Sequence, residues 1–368
     1  MFIRSFLGLV VLHLATVVAG SYQYLTLSGT NITFAYLDSG PVASSNSYTT
    51  LMLLHGTGFN SLVFNQILPL AKANNLRIVA INRRDYAPTT LLTSAEIAVM
   101  SQGDTGAQTY FQQRGNEIGL FIDKWLQQNT IPTVHNGQGG IAIVGWSLGT
   151  VTAHSFLAHL DTLPAATLNR LAPYIHTVLL HDTFATAVAF PNPPQFDISL
   201  WFIIDPTQRF TAFKEWVTSY YDSTDFNPST GTINTIDFNN PNPAKPKTFS
   251  TTPASIMNTM LNEAAFAGSE AAVLFFNQTA FSKLIRRALF DPTVASKLPN
   301  VKARYFYGGE TAGILILASW EITETPPSYY NGVTARNIKL HYGDQGNHFL
   351  FWDKPQYALS SYISAINS

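Results

Sequence analysis

Short apolar runs alternate with amphipathic stretches along most of this chain. Residues 49–54, 76–82, 141–144 and 175–181 are dominated by apolar side chains and have the length of strands buried on both faces. The segments between them include residues 108–128, whose apolar side chains recur at helical spacing. Strands that alternate with helices predict a doubly wound, mostly parallel sheet, with ligand sites at the carboxyl ends of its strands.

Further elements complete this α/β pattern. Two short antiparallel strands are predicted within residues 22–38, and two more strands at residues 302–307 and 337–342. Helices are predicted at residues 62–73 and 150–160. The sheet is therefore expected to contain about eight strands.

Between residues 183 and 300 the strand pattern stops, and helix-like segments rich in Phe and Trp follow. We interpret this region as a helical lid inserted after the sixth strand, with residues 21–182 and 301–368 forming the core. Its aromatic side chains are candidates for lining an apolar pocket, although most are expected only to pack the lid onto the core. They include Phe190, Phe196, Trp201, Phe202, Phe210, Phe213, Trp216, Phe275 and Phe276.

Composition narrows the class of protein. The chain has 368 residues, of which 46% are hydrophobic, enough for one large core with an inserted subdomain. A formal net charge of −1 gives no basic surface for nucleic acid or an anionic membrane. Cysteine is absent, which excludes disulfides, thiol nucleophiles and thiolate metal sites.

Residues 1–20 have the pattern of a secretory signal peptide, with Arg4, an apolar segment and a small-residue cleavage site. The apolar segment is shorter than the roughly 20 residues that span a bilayer. We expect a secreted protein that has no integral membrane span after removal of the signal. Asn31 and Asn277 begin Asn-x-Thr triplets and are candidate glycosylation sites.

The run that ends in Gly145-Trp146-Ser147-Leu148-Gly149 offers a candidate nucleophile. Glycines two residues either side of a serine allow a strand to turn sharply into a helix and leave the hydroxyl exposed. Ser147 is therefore the candidate.

Three further motifs occur in the order expected for one superfamily. They are His-Gly-Thr-Gly at residues 55–58, Asn-Arg-Arg-Asp-Tyr at residues 82–86 and Gly-Asn-His-Phe at residues 346–349. With the serine motif, they make the chain similar to serine-type α/β-hydrolases over most of its mature length. The resemblance implies a Ser-His-acid triad, with the lid determining the substrate.

His348 is the candidate base. A serine hydroxyl needs an imidazole to accept its proton, and His348 follows a predicted strand in a polar loop at the carboxyl edge of the sheet. The other histidines lie in the signal segment, on the helix after Ser147, or before or within strands: His13, His135, His154, His159, His176, His181 and His341. His55 belongs to the glycine-lined turn after the third strand.

The acid has two candidates. The usual position in the family, a few residues beyond strand seven, holds only Glu310, whereas Asp182 closes strand six, an arrangement that some relatives use. Asp182 is preferred and Glu310 stays as the alternative. Each also has a structural interpretation, Asp182 as a turn cap and Glu310 as a loop hydrogen-bonding residue.

The negative charge that develops on a substrate oxygen needs fixed donors. The backbone N–H groups of Leu148 and Thr57 are the natural pair. No metal is expected, because His154 and His159 are five residues apart rather than four, and no His-Glu-x-x-His occurs. No glycine-rich phosphate loop is present, so no cofactor is expected.

The leading hypothesis is a secreted serine hydrolase that cleaves a carboxylic ester, with an apolar small molecule as substrate, through an acyl-enzyme on Ser147. Serine at this position argues against branches of the family that use a carboxylate nucleophile. The alternatives are a binding protein on the same fold without catalysis, an amidase or peptidase, and a cofactor-free oxidoreductase or lyase.

Overall fold

The computed structural model describes residues 21–194, 196, 205–222, 238 and 240–368. The predicted signal peptide and the predictions for Trp201 and Phe202 lie outside the described residues.

In the described part of the chain, eight strands form one sheet in the order β1-β2-β4-β3-β5-β6-β7-β8. Strands β3 to β8 are parallel, and β1 and β2 are antiparallel at one edge. The predicted fold class, a mostly parallel sheet of about eight strands, is confirmed. The strands are β1 Gln23–Thr26, β2 Thr33–Asp38, β3 Thr49–Leu54, β4 Leu76–Ile81, β5 Ile141–Trp146, β6 Ile175–His181, β7 Lys302–Gly308 and β8 Ile338–Gly343.

The central strands are apolar because helices cover both faces of the sheet. Every residue of β4, β5 and β6 is buried. The α-helices are α1 Ser94–Met100, α2 Gly103–Gln128, α3 Gly149–Ala158, α4 Ala165–Leu171, α5 Pro206–Val217, α6 Ala254–Met260, α7 Glu263–Ala265, α8 Ala271–Leu274, α9 Gln278–Leu289, α10 Pro292–Ala295, α11 Gly313–Glu324, α12 Leu350–Asp353 and α13 Pro355–Asn367. Helices α2 and α3 pack into the core on one face, and α13 belongs to the core on the other.

The helical segment predicted around residues 62–73 does not form one continuous α-helix. The structure has three 3₁₀ turns instead, at Ser61–Phe64, Leu68–Leu70 and Lys72–Asn74. Pro69 lies in this segment, where its missing N–H and its ring oppose a continuous helix. Asn75, with φ 54°, then ends the last turn in the left-handed region.

The inserted region between β6 and β7 contributes no strand to the sheet within its described residues. Besides helices α5 to α10, it contains 3₁₀ turn Ala185–Val188 and π-helical turn Phe266–Glu270. The boundaries of the inserted region and its role as a lid stay predictions. No helix in the described ranges combines the length and apolar character needed to cross a membrane.

His154 on α3 gives the fold a defined pH dependence. Its ring is fully buried, its Nε2 lies 2.7 Å from the Tyr305 hydroxyl, and burial lowers its pKa from 6.5 to about 3. Because the unfolded chain binds this proton more readily, the free energy of unfolding falls as the pH decreases from 6.5 to about 3.

We expect His154→Gln to reduce the pH dependence of the free energy of unfolding by about 1.4 kcal/mol per pH unit within this range. Urea denaturation of both proteins at several pH values across this window measures the slopes. Equal slopes for the variant and the unmodified protein would contradict this assignment.

Candidate active site

Ser147 lies on a sharp turn between β5 and α3. Its φ is 54°, and its N–H donates to the His181 carbonyl at 2.9 Å, which places the turn beside the end of β6. A Cβ on Gly149 would lie 2.2 Å from the Leu54 carbonyl oxygen, and one on Gly145 would lie 2.6 Å from the Gly149 oxygen. Both glycines are therefore required by close backbone contacts, as the sequence motif predicts.

The structure brings Asp182 and His348 together. Asp182 follows β6 directly, has a φ of 51° and is fully buried. Its Oδ2 accepts the His348 Nδ1–H at 2.8 Å and the Thr311 hydroxyl at 2.9 Å, and its Oδ1 accepts the Gly308 N–H at 3.2 Å. A carboxylate held by three donors fixes the tautomer of the imidazole, so that Nε2 is left as the basic nitrogen.

Trp146, the residue before the serine, also holds His348. Its indole Nε1–H donates to the His348 carbonyl at 2.9 Å, and the two ring centroids are 4.8 Å apart. The sequence analysis missed this support and that of Thr311. The position of Trp146 inside the Gly-x-Ser-x-Gly motif is the only signal that could have indicated its role. No local pattern indicates the role of Thr311.

Ser147 and His348 line the same cavity. Within the described residues the structure has no hydrogen bond between their side chains. In enzymes without bound substrate such bonds are often long and tighten only when the substrate is in place.

Glu310, the alternative acid, has other partners. Its Oε1 binds Lys245 Nζ at 2.5 Å, and its Oε2 accepts the Gly346 N–H at 2.6 Å and lies 3.6 Å from Lys354 Nζ. Partial burial opposes the charged form, but the hydrogen bonds from Lys245 and Gly346 outweigh it and lower the pKa of Glu310. Glu310 thus connects the histidine loop to the inserted region, and within the described residues it forms no hydrogen bond or ion pair with His348.

Thr57 and Leu148 provide backbone donors beside the serine. Thr57 lines the cavity, and Leu148 follows the nucleophile directly. No partner for either backbone N–H is found among the described residues. These two groups are therefore candidate donors to an oxygen atom of a substrate.

The wall of the cavity is mostly apolar. Of the lid aromatics singled out from the sequence, Phe196, Phe213 and Trp216 line it. Three others contribute packing, since Phe210 contacts Phe266, Phe276 contacts Phe111, and Phe190 stacks on Tyr329. The Phe275 side chain is mostly exposed and does not line the cavity. Phe184, Leu274, Ile314 and Leu315 complete the apolar surface, and Thr186 and Asn192 add polar groups.

No cluster of three or more His, Cys, Asp or Glu side chains that could hold a metal ion is found in the part of the chain that the structure describes.

Solved structures with the same fold confirm the class of architecture. The chain is similar to a bromoperoxidase from Bacillus anthracis, with 13% identity, a TM-score of 0.51, and coverage of 95% of this chain and 100% of the other. It is equally similar to 2-hydroxy-6-oxo-6-phenylhexa-2,4-dienoate hydrolase from Rhodococcus sp. strain RHA1, with 16% identity, a TM-score of 0.51 and the same coverage. No family model and no curated protein matches the chain in sequence. The protein has the α/β-hydrolase fold.

Proposed function

We propose that this protein is a secreted serine hydrolase that cleaves carboxylic esters through an acyl-enzyme on Ser147. One observation carries the proposal. The buried Asp182 holds His348 by Nδ1, and His348 lines one cavity with Ser147 and Thr57. Nucleophile, base, orienting acid and oxyanion donors all follow the carboxyl ends of parallel strands, where α/β folds bind ligands.

The chemistry proceeds in two halves. Ser147 Oγ attacks the ester carbonyl carbon while His348 Nε2 takes the hydroxyl proton, and the N–H groups of Thr57 and Leu148 bind the oxyanion. Collapse of the tetrahedral intermediate breaks the bond to the alcohol, which leaves with the proton from His348. Water then attacks the acyl-enzyme by the same route, which releases the acid and restores the serine.

The cavity wall supports an apolar substrate. Aromatic and aliphatic side chains from the inserted region and α11 surround the space above Ser147. Burial of each additional methylene there contributes about 0.8 kcal/mol, or about a fourfold gain in affinity. The polar side chains of Thr186 and Asn192 can orient one oxygen-bearing group of the substrate.

A series of aryl esters of increasing acyl length, assayed with the secreted protein, tests the function. We expect hydrolysis, with kcat/KM rising up to about fourfold per methylene until the cavity is filled. A matching series of anilides separates esterase from amidase activity. Failure of every ester would contradict the proposed function.

The fold alone does not determine the activity, because proteins with similar structures include a bromoperoxidase and a hydrolase. The contact between Asp182 and His348 favours a catalytic protein over a binding protein, since a protein without catalysis has no need for an oriented imidazole.

The last part of the proposal is that the protein is secreted and glycosylated. Asn31 and Asn277 are both exposed, as attachment of glycans requires. We expect the secreted protein to begin near Ser21 and to lose mass on treatment with an N-glycosidase. Amino-terminal sequencing and mass measurement check both points.

A further inference from the structure

Arg83 is a buried cation whose side chain and backbone N–H both form hydrogen bonds to the glycine-lined turn at residues 55–58. Its Nε donates to the His55 carbonyl at 2.7 Å, and one terminal nitrogen donates to the Gly56 carbonyl at 3.0 Å. Its backbone N–H donates to His55 Nε2 at 2.9 Å. Burial, and then the charge of Arg83, lower the pKa of His55 well below its usual range, so this ring is neutral and its Nδ1–H also donates to the Gly56 carbonyl.

These bonds fix the peptide unit that contains the oxyanion donor. The Gly56 carbonyl and the Thr57 N–H belong to one trans peptide, so they point in opposite directions. On the other side of Thr57, the Gly58 N–H donates to the Tyr86 hydroxyl at 2.8 Å. With both neighbouring groups engaged, the Thr57 N–H is left facing away from Arg83.

Glu270, in the inserted region, holds Arg83 in this position. The two side chains form an ion pair at 2.8 Å, with exposures of only 5% and 3%. Burial disfavours a lone guanidinium, but the charge and hydrogen bond of Glu270, together with Tyr86 and Tyr110, outweigh it and raise the pKa of Arg83. The positive charge beside the turn is therefore neutralised by a residue 187 positions away.

We propose that Arg83, anchored by Glu270, is a positioning residue that orients the Thr57 N–H toward the oxyanion of the reaction. This rests on the proposed function, because an oxyanion donor has a role only if Ser147 attacks a carbonyl. It also gives the inserted region a part in the reaction that does not depend on contact with substrate.

Arg83→Met is the test variant, and Arg84→Met is its matched control. Arg84 is the next residue, is equally buried, pairs with Glu117 at 2.7 Å, and donates to the carbonyls of Thr90 and Leu91 rather than to the turn. Arg83→Met alone leaves the buried Glu270 carboxylate without its cation. The double variant Arg83→Met/Glu270→Gln removes that charge as well, so that the variant is expected to fold. Arg83→Lys restores a donor to the carbonyls.

The readouts are kcat and KM for an aryl ester, the affinity for phenylboronic acid, and the melting temperature. Ser147 Oγ adds to the boron of phenylboronic acid while its proton passes to His348, which gives a tetrahedral boronate anion with one of its hydroxyl oxygens in the oxyanion site. We expect Arg83→Met, alone and in the double variant, to lower kcat and boronic acid affinity about 10- to 100-fold, with KM little changed. Arg83→Lys recovers part of this loss, and Arg84→Met lowers the melting temperature but leaves kcat within about twofold.

Wild-type kcat in the folded double variant, or equal losses of kcat in the Arg83 and Arg84 variants, would overturn the inference. An unmodified protein that neither hydrolyses esters nor binds the boronic acid would instead contradict the proposed function, and the inference would fall with it.

Discussion

Replacement of Ser147 by alanine is expected to reduce kcat for short aryl esters by at least about 10⁴-fold. Without the hydroxyl no acyl-enzyme forms, and the remaining donors at Thr57 and Leu148 can only stabilise attack by water. The melting temperature should hardly change, because no side-chain hydrogen bond of Ser147 is found among the described residues. Steady-state kinetics and thermal denaturation of the purified variant provide the two measurements.

Ser155→Ala is the matched control for this substitution. Ser155 lies on the same helix, α3, but is fully buried, and its hydroxyl has no partner within the described residues. Its removal should leave kcat unchanged. Retained activity in Ser147→Ala, with Ser155→Ala equal to the unmodified protein, would show that another residue is the nucleophile.

The second large effect is expected at the acid. Asp182→Asn should lower kcat about 10³- to 10⁴-fold, because an amide in place of the carboxylate favours the imidazole tautomer with hydrogen on Nε2. That tautomer cannot accept the serine proton. With the amide nitrogen facing the ring, the amide oxygen can still accept the Gly308 N–H, and the Thr311 hydroxyl can turn to accept a hydrogen from the amide nitrogen. The fold should therefore persist, as thermal denaturation would show.

Glu310→Gln is the control for the acid, because Glu310 binds the histidine loop at Gly346 without touching the ring. We expect a loss in kcat of less than about tenfold and a small loss of stability, since Lys245 is 39% exposed and water screens the ion pair. Equal, mild losses in both variants would mean that neither carboxylate orients His348.

The sequence predicted the sheet well, because buried parallel strands are short, apolar and bounded by turns. The segment at residues 62–73 is not one continuous helix, because Pro69 opposes it and Asn65 and Asn75 end the first and last of its three 3₁₀ turns. Ser147 and His348 were the candidates because each lies in a local motif, and their roles stay predictions. The structure places both in one cavity, as proposed.

The sequence favours Asp182 but leaves Glu310 as an alternative acid for a physical reason. Strands β6 and β7 are neighbours, so Asp182 and Glu310 both follow strand ends next to the histidine loop. Which of them reaches the ring depends on side-chain direction, and sequence spacing does not give it. The sequence gives no indication of the ion pair between Arg83 and Glu270, because no local pattern connects residues so far apart.

Reaction of the protein with a fluorophosphonate, followed by peptide mapping, tests the central claim most directly. The reagent leaves a phosphonyl group on an activated serine and does not depend on knowing the natural substrate. We expect one adduct per chain, on the peptide that contains Ser147, and a much slower reaction in His348→Gln. The absence of an adduct in folded protein, or an adduct on a different residue, would contradict the account.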